Sequence, residues 1–367
     1  MVKKRVVHCG TGNIGADGLR GILQHPDLDL VGHYVWSEDK VGRDSGELIG
    51  GAKAGVIATN NWDELLALDA DCISFFGDSI GREKETAATV CRFLERGTNA
   101  VTPSVFAWAH PETCPAEYKD IVLEACAKGN STAFFSGIDP GWATTDLAIA
   151  ALAGANRVDC VRVMELGCMA EYTASYVFRE YFGFGKEPGF KPLLVSGGFM
   201  REMWTPTLHA IADVLGVKLD EIKLTYETDS LDHDIVVGIG EIKAGESSAV
   251  HFTLEGWSGG QPLVIVEHND LVDMDAGKQW SRPFGPKNMA YRIEIEGDPT
   301  FTIEQNFSHY DGCKICAMAV VNAIPAVCDA TPGLKSPLEI RRYWSRNVRE
   351  NATRACTVLP DSPRSVR

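Results

Sequence analysis

The chain has 367 residues, 45% hydrophobic and 23% charged. That composition excludes disordered, collagen-like and coiled-coil classes and, at about 150 residues per domain, implies about two domains. Its 35 Lys and Arg against 50 Asp and Glu leave a net charge of −15, which argues against nucleic acid and anionic membrane surfaces as partners.

In chain order, Lys4–Cys9 reads as a strand instead of a signal peptide, and Ala16–His25 as a helix stopped by Pro26. Leu28–Trp36 and Gly55–Ala58 read as strands, and Asn61 as the N-cap of a short helix. Asp71–Phe76 is a strand apolar enough to be buried on both faces. Helix Glu83–Arg96 is closed by Gly97, strand Asn99–Thr102 follows, then helix Pro115–Lys128 closed by Gly129 and strand Thr132–Phe135. Strands alternating with helices of this length predict a parallel sheet. After about residue 150 the pattern becomes alternating: Asp159–Leu166, Lys223–Thr228, Asp234–Glu241, Ala249–Glu255, Leu263–Asn269 and Ala290–Glu296. These predict a mostly antiparallel sheet, with one helix at Thr205–Leu215.

The expected fold class is α/β, a Rossmann dinucleotide-binding domain over residues 1–150 with an α+β substrate domain over 151–310. A buried apolar helix within 311–340 returns to the first domain, and 341–367 form a loosely packed tail with Pro and Arg. No run of ~20 apolar residues predicts a membrane span. Eleven cysteines without a framework suggest reduced thiols in a cytoplasmic protein, and Cys313-Lys314-Ile315-Cys316 reads as structural, with no metal expected.

Gly10-Thr11-Gly12-Asn13-Ile14-Gly15 lies between the first strand and helix. This spacing suits a tight turn, close approach of backbone to a pyrophosphate and close helix–strand packing, in that order. An accidental Gly-rich turn is the alternative. The second strand ends without the acid that accepts from a ribose 2′-hydroxyl, whereas Ser37, Lys40 and Arg43 offer donors for a 2′-phosphate. NADP(H) is therefore favoured, with NAD(H) also admitted. Gly77 and Asp78, Thr102 and Pro103, and Asp139 and Pro140 end successive strands, where ligands of open parallel sheets bind.

Several segments resemble the dihydrodipicolinate reductase-like superfamily, and more closely its branch of 2,4-diaminopentanoate dehydrogenase and native amine dehydrogenases. They are Gly10–Gly15, Ser37–Leu48, Gly137–Gly141, Glu296–Pro299 and Val321–Val327. The resemblance implies a nicotinamide-dependent reductase with a substrate cleft between two domains, homodimeric assembly, and Asn322 among the cofactor contacts. Native amine dehydrogenases carry a glutamate just after the fifth strand, but Val105–Pro111 contains no carboxylate. That departure predicts reduction of a preformed C=O, C=N or activated C=C bond, with poor reductive amination.

Glu165, Tyr172 and His309 are the chosen candidates for proton transfer, ahead of Tyr176, Asp139, Asp146 and His209. For each one taken singly, a capping Asp, a satisfied buried His or an interfacial Tyr is the stronger reading. Phe106, Trp108, Trp142 and Tyr176 are the expected lining of an aromatic pocket for a small to medium apolar substrate. Amine dehydrogenation proper and a non-catalytic NADPH sensor are the competing readings.

Overall fold

Short, apolar strands can be buried on both faces only if helices cover them, and the first part of the chain is built that way. The computed structural model describes residues 2–348. Strands β1 (Lys4–Cys9), β2 (Leu28–Tyr34), β3 (Cys72–Phe75), β4 (Asn99–Thr102) and β5 (Thr132–Phe135) form a parallel sheet. Its order is β14-β5-β4-β3-β1-β2, where β14 (Gly333–Lys335) comes from near the C-terminus. Helices α1 (Asn13–Gln24), α2 (Ser45–Leu48), α3 (Trp62–Leu66), α4 (Glu83–Leu94) and α5 (Ala116–Gly129) intervene. Asn61 caps α3 by accepting from the Asp63 N–H, as its position predicts.

Three expectations for this region are corrected. Residues 55–58 form no ladder; they touch their neighbours through isolated bridges at Ile57 and, just beyond, Thr59. Helix α5 includes Gly129 and is closed by Asn130, at φ +51° in the left-handed region that Asn tolerates. The segment after Pro332 is also less loose than its composition suggests. β14 extends the sheet, and half-buried Tyr343 donates to Asp146 Oδ2 at 3.0 Å. Positions 349–367 of the expected tail lie outside the described residues.

Helix α6 (Leu147–Ala151) leads into the second sheet: β6 (Arg157–Cys168), β7 (Glu221–Ser230), β10 (Ser247–Ser258), β11 (Gln261–Leu271), β12 (Met289–Asp298) and β13 (Phe301–Phe307). Their order is β13-β12-β6-β11-β10-β7, antiparallel except for the parallel β11–β6 pair. The segment Asp234–Glu241, read as one strand, is a hairpin of β8 (Ile235–Val237) and β9 (Gly240–Ile242), and β13 was not foreseen. Helices α7 (Leu193–Ser196) and α8 (Phe199–Val214) precede β7. α8 packs its Trp204, Leu208 and Ile211 into a core with Val163, Phe252 and Val266 of the sheet.

Helix α9 (His309–Cys328) is long and apolar enough to cross a bilayer by length and composition, but half of its apolar window is buried inside the protein. Its Val320, Val321 and Ile324 join Leu19 and Ile22 of α1 over the first sheet. Gly21 permits the close approach, since a Cβ there would stand 2.2 Å from Met318 Cε.

Candidate active site

The glycine loop meets the geometric demands of a dinucleotide cradle. Gly10 has φ +105°, and an added Cβ would lie 3.0 Å from the Phe76 carbonyl. A Cβ on Gly15 would lie 2.8 Å from the Gly10 carbonyl, so the third glycine lets helix and loop close. A Cβ on Gly12, the N-cap of α1, would meet nothing within 4 Å. That position opens into the space a pyrophosphate fills, with the amides of Asn13 and Ile14 at the positive end of the helix dipole. The residues therefore fit a nicotinamide dinucleotide.

Buried His8 holds this loop from below. Its Nε2–H is shared between the carbonyls of Gly10 (2.8 Å) and Gly15 (2.9 Å), while Nδ1 accepts from the Ser74 hydroxyl at 3.0 Å. Burial, aided by neighbouring His33, lowers the His8 pKa to about 3, so the ring is neutral in this role. At the end of β2, Lys40 reaches back and donates to Thr11 Oγ1 at 2.9 Å. Ser37 and Arg43 are exposed beside it. Asp44 fixes the following turn by accepting from the backbone N–H groups of Ala54, Gly55, Gly46 and Glu47, which lower its pKa.

At the next strand ends, Thr102 donates to the Phe75 carbonyl and Ser104 to the Gly77 carbonyl. Thr102 is fully buried, so it positions the loop and does not reach a ligand itself. Asp78 is exposed and close to Arg82. Pro103 stands next to Gly137, whose added Cβ would lie 3.4 Å from the proline Cβ.

Beyond Gly137 the chain enters an acid–base group that spans both domains. Asp139 accepts from Thr144 Oγ1 (2.6 Å) and Trp204 Nε1 (2.9 Å). Its Oδ2 also lies 2.9 Å from His268 Nε2, and His268 Nδ1 lies 3.7 Å from Asp270 Oδ2. These are ion-pair contacts, because neither ring nitrogen is aligned for a hydrogen bond. The register explains the convergence: Glu165 of β6 stands opposite His268 of β11 on one side and Tyr291 of β12 on the other. The Tyr291 hydroxyl donates to Glu165 Oε2.

Burial, reinforced by the charges of Asp270 and Asp139, raises the Glu165 pKa to about 8, against the opposing pull of His268 and the Tyr291 hydroxyl. Burial alone would lower His268, but Asp139, Asp270 and Glu165 outweigh it and raise its pKa well above 6.5. Its ring stacks on Phe252 at 4.4 Å between centroids and meets the edge of Trp204 at 4.6 Å. Asp270 is raised by burial. The arrangement can hold and exchange a proton near neutral pH.

Of the proton-transfer candidates, Glu165 lies in this group. Tyr172 adjoins it, its raised pKa owing mainly to burial and in smaller part to the thiol of Cys313 and the carboxylate of Glu165. His309 packs edge-on against Tyr172 at 4.0 Å. His268, Asp270 and Tyr291 escaped the sequence reading. Their available signal was the polar run Glu267–Asp270 closing an otherwise apolar strand, where alternation would place only every second residue in water.

Several site expectations are corrected. Both oxygens of Asp139 are taken by protein donors, and Pro140 is buried beside it, so neither is free to hold the nucleotide. Asn322 of α9 lines a separate cavity of about 630 Å³ with Lys4, Asp27 and Arg341. Trp108 is fully buried in the first domain's core. Tyr176 is 66% exposed, and Trp142 borders a groove shared with the C-terminal segment. Phe106 does line a cavity of about 490 Å³ between the domains, with Val177, Phe182, Phe199, Met203 and Glu83. Glu83, also unforeseen, accepts from the Ala107 N–H at 3.0 Å, and burial raises its pKa. A carboxylate from α4 therefore occupies the neighbourhood of Val105–Pro111, which has none of its own.

A glycine cradle at the edge of a parallel sheet, facing a second domain with buried acids, defines a nicotinamide-dependent oxidoreductase. The chain belongs to the family of the 2,4-diaminopentanoate dehydrogenase C-terminal domain, whose profile matches residues 146–353. It is 29% identical over 339 residues to an amine dehydrogenase of Streptomyces virginiae, covering 90% of this chain and 94% of the relative. Its fold is similar to that of amine dehydrogenase from Mycobacterium smegmatis, with a TM-score of 0.71, 19% identity and coverage of 94% and 98% of the two chains. A myo-inositol dehydrogenase from Corynebacterium glutamicum shares the fold more distantly, with a TM-score of 0.52, 14% identity and 89% coverage of each chain.

Proposed function

We propose that the protein interconverts an apolar primary amine and its carbonyl compound, with NADP(H) as the preferred nucleotide. The observation that carries the reading is the group of Glu165, Tyr291, Asp139 and His268, in which Asp139 lies two residues beyond Gly137 and so ties the acids of the second domain to a strand end of the first. It departs from the expectation of poor reductive amination. That expectation rested on the lack of a carboxylate in Val105–Pro111, and both Glu83 and Glu165 supply acids from other elements.

Bound nicotinamide would supply or accept the hydride. Glu165 takes a proton from the substrate nitrogen in the oxidative direction and returns it in the reductive one, while Tyr291 orients the carboxyl group. Phe106, Phe182 and Phe199 exclude water and favour an apolar substituent. Lys40, already at Thr11, and exposed Arg43 support the 2′-phosphate preference. The test measures NADPH oxidation with ketones, with and without ammonium at pH about 9, and quantifies amine. Ammonia-dependent amine formation is expected. Turnover of ketones or enones that ignores ammonium would restore the simple reductase, and binding of NADPH without any turnover would favour a sensor.

A further inference from the structure

The apolar cavity between the domains takes its facing walls from two elements. In the first domain, the turn Phe106–Ala109 after β4 supplies Phe106. In the second, the start of α8 supplies Phe199 and Met203. The width of the cavity is therefore set by how far α8 stands from that turn.

The turn is fixed within its own domain. Trp108 is fully buried there, and the Ala107 N–H donates to Glu83 at 3.0 Å. α8 is tied across the domain boundary at three points along its length. Trp204 Nε1 donates to Asp139 Oδ2 at 2.9 Å, and the hydroxyls of Thr207 and Thr145 meet at 3.0 Å. Near the far end of the helix, Asp213 Oδ2 accepts from His110 Nε2 at 2.9 Å. The first two ties reach the segment Ile138–Asp146 beyond β5. The third reaches His110, the residue that follows the turn carrying Phe106, and so joins the two cavity walls directly.

Both nitrogens of this histidine are used. His110 is 4% exposed. Its Nδ1 accepts from the Thr113 N–H at 3.3 Å and from the Thr113 hydroxyl at 2.8 Å, which places the ring proton on Nε2, facing Asp213. A buried ring bonded at both nitrogens has one orientation. His209, one turn before Asp213 on α8, stacks on it at 5.7 Å between centroids and 20° between planes. Burial and the neighbouring His110 lower the His209 pKa against the pull of Asp213, so its ring stays neutral and adds no repulsion between the walls.

We propose that His110 and Asp213 are positioning residues that set the bulk of the group the cleft accepts. Their hydrogen bond holds α8 at one distance from the turn, and with it Phe199 and Met203 at one distance from Phe106. The inference rests on the reading above in taking this cavity as the place of the substrate's apolar group. Without the bond, Trp204 and Thr207 still tie the helix to the first domain, but the cavity wall is no longer held at one distance and yields to larger groups.

The experiment measures kcat/KM for butan-2-one, hexan-2-one and 4-phenylbutan-2-one with NADPH and ammonium. Calorimetry follows binding of the same ketones to the full-length protein saturated with NADP+. Asp213→Ala should shift the preference for 4-phenylbutan-2-one over butan-2-one by about tenfold or more toward the larger ketone, in turnover and in binding, with the KM for NADPH unchanged. Asp213→Asn, whose amide oxygen still accepts from His110, should stay within about threefold of wild type. The Asp213 side chain is 49% exposed, so its replacement leaves no buried charge unpaired; should Asp213→Ala not fold, Asp213→Ser removes the same bond. An unchanged preference in a folded variant would overturn the inference. So would an equal loss across the series, the same shift in Asp213→Asn, or a protein that binds none of the ketones. Ketone reduction that ignores ammonium sinks the amine reading and leaves the shift in preference to be read as before; amine formation with an unchanged preference does the reverse.

Discussion

At the edge of the first sheet, six consecutive residues from Gly10 to Gly15 make the nucleotide cradle, with His8 locking their carbonyls from below. Within the second sheet, the acid–base group takes Glu165, His268 and Tyr291 from three neighbouring strands and Asp139 from the first domain. The first region is backbone chemistry, where the absence of side chains is the active feature. The second is side-chain chemistry, where burial and crowding of like charge set the proton affinities. The two should therefore fail independently and by different routes.

The largest separation should come from Gly12→Val. Its Cβ enters empty space, so the fold should persist while the pyrophosphate's path is blocked. Fluorescence titration should show NADPH binding lost with an unchanged circular dichroism spectrum; retained affinity would break the cradle assignment. On the other side, Glu165→Gln keeps the shape but removes the exchangeable proton. A fall in kcat on the order of 10²–10⁴ is expected with NADPH affinity unchanged. A change of less than a factor of three would remove Glu165 from the chemistry.

Trp108→Ala tests the boundary between core and pocket. Its side chain is fully buried in the first domain, so the variant should lose about 3–5 kcal/mol of stability in urea unfolding. A selective rise in substrate KM at full stability would put Trp108 back in the pocket. Lys40→Ala combined with Arg43→Ala should weaken NADPH by about 1.5–3 kcal/mol and leave NADH nearly unchanged. Equal losses would reduce the loop to a structural part.

The smallest effect is one of pH. Glu165 titrates at about 8 when folded and at 4.5 ordinarily. Between these values the folded protein holds the extra proton, so stability falls as pH rises through that window. The raised pKa of His268 acts in the same direction, since its contribution is complete below its ordinary 6.5 and is lost as pH passes the folded value. Melting temperatures of the protein free of nucleotide should therefore decline from pH 7 to 9, above the range in which His8, with its lowered pKa, acts in the opposite direction. The slope should flatten in Glu165→Gln, and a parallel decline in both proteins would show that the crowding of charge has no such effect.

The same division separates what could be read from the chain. Alternation of strand and helix, the cap at Asn61 and the glycine spacing are local patterns, and Gly10–Gly15 acts within one turn of the chain. Sequence therefore determined the α/β class, the antiparallel bias of the second sheet and a dinucleotide edge. It also placed Glu165, in the first strand of the second domain, among the candidates for proton transfer. Tertiary structure alone decided the rest. Trp108 and Phe106 are two residues apart, yet one is core and the other lines the cleft, because a single turn after β4 sends them to different sides. Asp139 turns from cofactor to acid group because Trp204 of α8 reaches it with an N–H. His268 and Tyr291 acquire their meaning from strand register, which pairs residues distant in sequence and leaves no local periodicity to read. Spacing along the chain can specify a backbone cradle, but which carboxylates share a buried space, and so which hold a proton, is decided only when the sheets close.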